Sequence, residues 1–203
     1  MEIDDIPLVG GHPALDFLNA LEERATPAEV NYLPGYEPLL RWLARVGFVS
    51  EGTLRALLRA QADHPGKAKK VWAAAMDLRR ALDAVFRTLA KGKPPPEDAL
   101  RALNATLAEA HTQRRLRPQA GGALAWRWKG EALEIVTWEI ALAAAALLTD
   151  AERCARIRIC SNPACDWMFL DDSRTGKRRW CRMNVCGNEA KVRRFRERQR
   201  AEH

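Results

Sequence analysis

The chain has 203 residues, 47% of them hydrophobic and 29% charged, a balance that excludes a disordered or collagen-like chain and allows one or two domains with a buried core. No apolar run approaches the ~20 residues of a membrane span, and the acidic opening Met1-Glu2-Ile3-Asp4-Asp5 lacks the layout of a signal peptide, so cytoplasmic residence is expected. The net charge of +7 is unevenly placed: residues 1–150 hold 19 basic and 19 acidic side chains, whereas residues 151–203 hold 14 and 7.

His12-Pro13, followed by Ala14, Leu15, Phe17, Leu18 and Leu21, predicts a short helix with proline in its first turn. Leu39, Leu40, Leu43 and Val46 recur at helical spacing up to Gly47, and Ser50 then caps a run carrying Leu54, Leu57 and Leu58. The longest helix is expected over residues 66–91, with Val71, Trp72, Ala75, Leu78, Leu82, Val85, Phe86 and Leu89 as its apolar stripe; Gly92 and Pro94 to Pro96 end it. Leu100, Leu103, Leu107 and Ala110 mark the next helix, whose end is expected to carry Arg114, Arg115 and Arg117. Leu124, Trp126 and Trp128 then alternate with polar residues, and the turn at Gly130-Glu131 predicts a β-hairpin with Leu133, Ile135 and Thr137. An alanine-rich helix from about Glu139 to Arg153 leads without a linker into a cysteine-rich region.

Cys160, Cys165, Cys181 and Cys186 read as C-x4-C, fifteen residues, C-x4-C. Two turns that each present two thiolates supply the four tetrahedral ligands zinc prefers, and in a cytoplasmic setting metal binding is favoured over disulfides. Asn162-Pro163 bends the first turn, strand-prone Trp167, Phe169 and Trp180 with the reversal at 172–176 predict a small hairpin between the pairs, and a helix follows. The expected fold is therefore mainly α with a small β-hairpin: a multihelical domain over 1–153 and a treble-clef-like zinc finger over 154–203 holding one structural zinc. Cys154 stands outside the pairs and is assigned to the core side of a helix. Four thiolates and one zinc leave about −2 at the site, so Arg178, Arg179 and Arg182 are expected to divide between balancing that charge and meeting a partner. Arg174, Lys177, Lys191, Arg193, Arg194, Arg196 and Arg198 complete a basic region suited to a nucleic acid.

Phe169-Leu170-Asp171, Ser173-Arg174, Arg178-Arg179-Trp180-Cys181, Met183, Cys186-Gly187-Asn188 and Lys191 resemble the CGNR zinc finger. The stretch Gly10-Gly11-His12-Pro13-Ala14-Leu15-Asp16-Phe17-Leu18-Asn19 is similar to the opening of the ABATE domain that precedes that finger. The resemblance implies a bacterial transcription regulator, sometimes described as stress-induced, whose finger binds DNA and whose four cysteines bind zinc. Glu189 stands where that motif usually has arginine, which removes one cation and places an acid where a helix N-terminus favours it.

The charge-neutral N-terminal domain joined to a basic finger suggests an input module attached to an output module. Gly10-Gly11 would let a ligand approach the backbone, and His12, Asp16 and Asn19 are candidate ligand contacts, although capping and anchoring the helix is the favoured role for them. No nucleophile elbow, phosphate loop, His-Glu-x-x-His motif or dinucleotide fingerprint is present, so no enzyme is expected. Duplex DNA is the expected partner. Structured RNA suits the same charges, and a small-molecule sensor or interaction protein with a purely structural finger is the remaining alternative.

Overall fold

The computed structural model describes residues 3–22 and 30–201. Helix α1 (Pro13–Asn19) begins with a proline at a position where the missing N–H has no partner to lose, and His12 Nδ1 accepts the Ala14 amide. Residues 14–19 are all buried, Leu15, Phe17 and Leu18 completely. A seven-residue helix thus forms the centre of the core. It stops short of Leu21, which instead lies in β1 (Leu21–Glu22), paired antiparallel with β2 (Val30–Asn31).

Helix α1 packs on α4 (Pro65–Ala90) and sets Phe17 against Trp42 of α2 (Tyr36–Arg45), while α2 and α3 (Glu51–Asp63) pack on each other and on α4. Ser50 caps α3 as its sequence predicts, its hydroxyl accepting the Thr53 amide at 3.2 Å. The α4 stripe is also as expected: Val71, Ala75, Leu78, Leu82, Val85 and Phe86 are buried, with Trp72 and Leu89 half-buried at its edges. Helix α5 (Glu97–Thr112) follows the triple proline and packs on α4.

The hairpin is present but pairs with a different partner. β3 (Arg114–Pro118) runs antiparallel to β4 (Leu124–Trp128) through a turn at Gly121-Gly122, with Leu116 opposite Trp126. Arg114, Arg115 and Arg117 are therefore strand residues and not a helix end. Ile135 and Thr137 belong instead to α6 (Ile135–Leu148), because the apolar run from 135 to 148 is too long for one strand and contains no breaker. This helix is apolar on all faces and is largely buried, as such a helix must be. Trp128 packs on Trp138 of α6 at 5.2 Å between ring centroids, while Trp126 is left exposed. The alanine-rich helix also ends earlier than its composition suggests: Asp150 caps a separate turn, α7 (Ala151–Cys154), by accepting the Arg153 amide. Cys154 packs against the main core, and burial raises its thiol pKa, so it has the inert character expected of it.

Two further strands, β5 (Ile157–Ile159) and β6 (Met168–Leu170), pair antiparallel. Because side chains alternate across a strand, β6 sends Met168 and Leu170 into the main core and Phe169 into a second cluster formed with Cys160, Trp167, Cys181 and Cys186. The chain ends in a π-helical turn over Met183–Gly187 and helix α8 (Asn188–Ala201).

Candidate metal centre and nucleic-acid interface

The first cysteine pair sits in the reversal between β5 and β6. The Cys160 amide donates to the Trp167 carbonyl at 2.8 Å, closing the base of the loop. Within it, the Asn162 carbonyl accepts the Cys165 amide at 2.9 Å. Asp166 adopts a left-handed backbone, φ 57°, a conformation a non-glycine residue holds only with support. Arg87 of α4 supplies it, pairing with the Asp166 carboxylate at 2.8 Å and donating to its carbonyl at 2.9 Å.

The hairpin expected between the two pairs is instead this β5–β6 hairpin, which encloses the first pair; residues 171–182 form no strand, and Trp180 lies in a segment without regular secondary structure. Polar contacts take the place of a ladder there. Asp171, fully buried, accepts the Ser173 amide and hydroxyl and the Arg178 amide. Burial opposes ionisation of its carboxyl, yet these hydrogen bonds hold it below the usual carboxylate range. Arg178 lies over the Phe169 ring at 4.5 Å and donates to the carbonyls of Trp180 and Cys181. The Ser161 amide donates to the Arg179 carbonyl at 2.8 Å, tying the two turns together.

These constraints bring the four cysteine sulfurs within 4.8 Å of one another, with Cys165–Cys181 at 3.5 Å and Cys181–Cys186 at 3.6 Å. A tetrahedron with ~2.3 Å metal–sulfur bonds has edges of roughly 3.8 Å, so the cluster is geometrically consistent with a single structural zinc ion. Cys160, Cys181 and Cys186 are buried and Cys165 partly so. Hydrogen bonds from Cys165 and Cys181 stabilise the Cys160 thiolate and pull its pKa down, while the same close contacts push Cys165 and Cys181 up. Four thiolates at this spacing need a cation between them. Four sulfurs complete a tetrahedral set and leave no open position for chemistry.

The structure divides the basic residues into two groups. Arg178 is committed to the finger's interior, and Arg182 is half-buried with its guanidinium 6.0 Å from the Trp167 ring. Arg174, Lys177 and Arg179 are exposed beside the cluster, and Lys191, Arg193, Arg194, Arg196 and Arg198 are exposed along α8. Arg193 also donates to Asn162 at 3.4 Å, and Arg194 lies over the Trp180 ring at 6.0 Å. Glu189 acts through structure: in the first turn of α8 it accepts the Asn162 side-chain amide at 2.6 Å, docking the helix on the first cysteine turn. Asn162 and Arg87 are the site residues that sequence reasoning missed as organisers. Asn162 was visible only as a turn residue, and Arg87 carried no signal because its partner lies 79 positions away.

His12, Asp16 and Asn19 have their bonding partners inside the chain. Burial, with Arg153 nearby, lowers the His12 pKa, keeping neutral the imidazole that caps α1. Asn19 donates to the Met168 carbonyl at 2.7 Å and accepts the Met168 amide at 3.0 Å. Asp16 accepts the Gly10 amide at 2.7 Å. A Cβ on Gly10 would lie 2.8 Å from Leu15 Cβ and 2.9 Å from the Asp16 nitrogen, so glycine is needed there for packing. Burial raises the Asp16 pKa to about 6, against the opposing effects of the Gly10 and Val9 amides and Arg45. Because the folded pKa exceeds the unfolded one, the stabilising contribution is complete below about pH 4 and lost as pH rises through about 6. Asp16→Asn should remove this dependence, so that the stability difference between variant and parent moves by about 2–3 kcal/mol in the variant's favour from pH 4 to pH 7. Denaturant unfolding of both proteins at each pH measures it, the thiolates' own titration cancelling in the difference; parallel profiles would refute the assignment.

A multihelical body carrying a closed four-cysteine finger and a basic helix is the architecture of a zinc-finger regulatory protein. Residues 11–151 match the ABATE family model, described as "Putative stress-induced transcription regulator", and residues 156–199 match the CGNR zinc finger. The chain belongs to the ABATE family, whose model covers more than half of it. Both matched families are regulatory or zinc-finger families without catalytic activity. No curated protein matches the chain. Among the described residues, no helix is long and apolar enough to cross a membrane.

Proposed function

We propose that the chain is a bacterial, cytoplasmic transcription regulator in which residues 154–203 bind duplex DNA and residues 1–153 form the input domain. The observation that carries this reading is α8: it follows directly on the turn holding Cys186, its first turn is docked through Glu189 on Asn162, and every residue from 191 to 200 is exposed, six of them basic. Phosphates are the natural partners of such a helix. Among the described residues, Arg196 and Arg198 have no tie to the body of the finger, and Arg198 donates to the Arg194 carbonyl within α8. They are therefore cleaner probes than Arg193 and Arg194.

Replacing Arg196 and Arg198 together with alanine should flatten the slope of log affinity against log salt by about 1.8, at ~0.9 for each phosphate no longer neutralised. Fluorescence titrations of a labelled duplex at several salt concentrations measure this, and an unchanged slope would remove α8 from the interface. Competition with structured RNA at matched salt separates the DNA reading from the RNA alternative. A cleft of about 660 Å³ between α2, α3 and α4, lined by Tyr36, Arg41, Leu58, Gln61, Lys69 and Trp72, supports the input role. Its Gln61 Oε1 is buried with no hydrogen-bond partner among the described residues. An effector is better sought there than at His12, Asp16 and Asn19.

A further inference from the structure

Helix α8 has two sides of different character. Ala190 is buried, Glu189 and Arg193 reach Asn162, and Arg194 lies over Trp180, so these positions define the side turned toward the finger. At 3.6 residues per turn the opposite side carries positions 192, 195 and 199. Val192 is 48% and Phe195 58% exposed, and Gln199 is exposed beside them. Lys191 and Arg198 border this strip on one side, and Arg196 and Arg200 on the other. Two apolar side chains and one amide therefore form a narrow band between two rows of cations.

Single exposed apolar residues are ordinary on protein surfaces. Here, however, they occupy the outward centre line of a helix that is otherwise strongly cationic, and the cations flank them on both sides. That pattern matches a B-form major groove. The groove is ~12 Å wide, a helix with side chains is ~10–12 Å across, and phosphates run along both borders with base edges on the floor. Cations at the flanks meet the two backbones while the centre line meets the bases. The chemistry of the band also selects among bases: apolar side chains fit the thymine methyl, and a glutamine amide pairs with the N6 and N7 groups of adenine. An A-form RNA duplex has a major groove too deep and narrow for side chains to read.

We propose that Val192, Phe195 and Gln199 are the specificity-determining residues of α8, reading a major-groove site that contains A·T pairs. This rests on the DNA-binding function proposed above. In the test, the full-length zinc-loaded protein selects sites from a randomised duplex pool at physiological salt. Affinities for the selected duplex are then measured alongside the same duplex with deoxyuridine in place of thymidine.

The expected result is enrichment of a motif containing A·T pairs, with about a fourfold loss of affinity for each contacted methyl removed. Phe195→Ala should weaken binding to the thymine form and erase part of the thymine–uracil difference without changing the salt slope. Gln199→Ala should relax the choice at an adenine. All these positions are exposed, and unchanged zinc content and circular dichroism establish that the variants fold. Salt-dependent binding with no enriched motif, or equal affinity for the thymine and uracil duplexes, would overturn the base-reading strip and leave DNA binding standing. No binding of any duplex, or a preference for structured RNA, would overturn the DNA reading and the strip with it.

Discussion

Cys181→Ser should lose the zinc ion and unfold the end of the chain while leaving the helical body folded. Purified parent protein should hold one zinc per chain, and the variant close to none. The physical reason is the small size of the finger's own core, in which three of five buried residues are the cysteines themselves. Residues 171–182 have no regular hydrogen-bond ladder to hold them. Metal binding supplies ~10–16 kcal/mol in isolated finger peptides near neutral pH, far more than the few hydrogen bonds from Ser161, Arg178 and Asn162 that otherwise tie the second cysteine turn and α8 to the first turn. The β5–β6 hairpin should survive longer, because Ile157, Met168 and Leu170 belong to the main core. A strong chelator should therefore produce two separable transitions, with loss of the α8 circular-dichroism signal first and its recovery when zinc is returned. Cys154→Ser is the matched control and should keep full zinc. Full occupancy and an unchanged melting curve in Cys181→Ser would show that the four sulfurs are not the metal site.

The parts of this protein legible from sequence are those set by local periodicity or by ligand chemistry. The α4 stripe, the Ser50 cap and the proline start of α1 each depend on residues within a turn or two of one another, and each is found as read. The four cysteines were legible because zinc chemistry demands a complete set and the chain offers one. Strand pairing was less accessible. Leu124, Trp126 and Trp128 show a strand clearly, but its partner is determined by the Gly121-Gly122 turn and by the burial of 135–148 as a helix. The charged Arg114-Arg115-Leu116-Arg117 gave only a weak alternation with which to compete. Glu189 carried two opposed readings, a missing cation or a helix-terminal acid. Its bond to Asn162, 27 positions away, shows its structural role.

The last expectation concerns Asn19, which was read from sequence as either an anchor or a ligand contact. It is 1% exposed and bonds both backbone groups of Met168 across a separation of 149 residues. The Leu170 amide adds a bond to the Gly10 carbonyl at 2.8 Å, a second tie between the start of the helical body and β6. Asn19→Ala would leave a buried amide and a buried carbonyl of Met168 without partners, each costing ~1–3 kcal/mol, for a total of about 2–6 kcal/mol. The melting temperature should fall by several degrees, and amide protection should drop first in β5 and β6. Zinc content should stay at one per chain, because the Asn19 side chain bonds the backbone of Met168 and not a cysteine ligand. A ligand-contact residue would behave otherwise, leaving the stability of the free protein nearly unchanged when truncated. If Asn19→Ala melts with the parent and retains full protection in β6, the bonds to Met168 do not couple the helical body to the finger. If it behaves as expected, the bonds to Met168 couple the stability of α1 to that of β6, whose hairpin with β5 encloses the first cysteine pair.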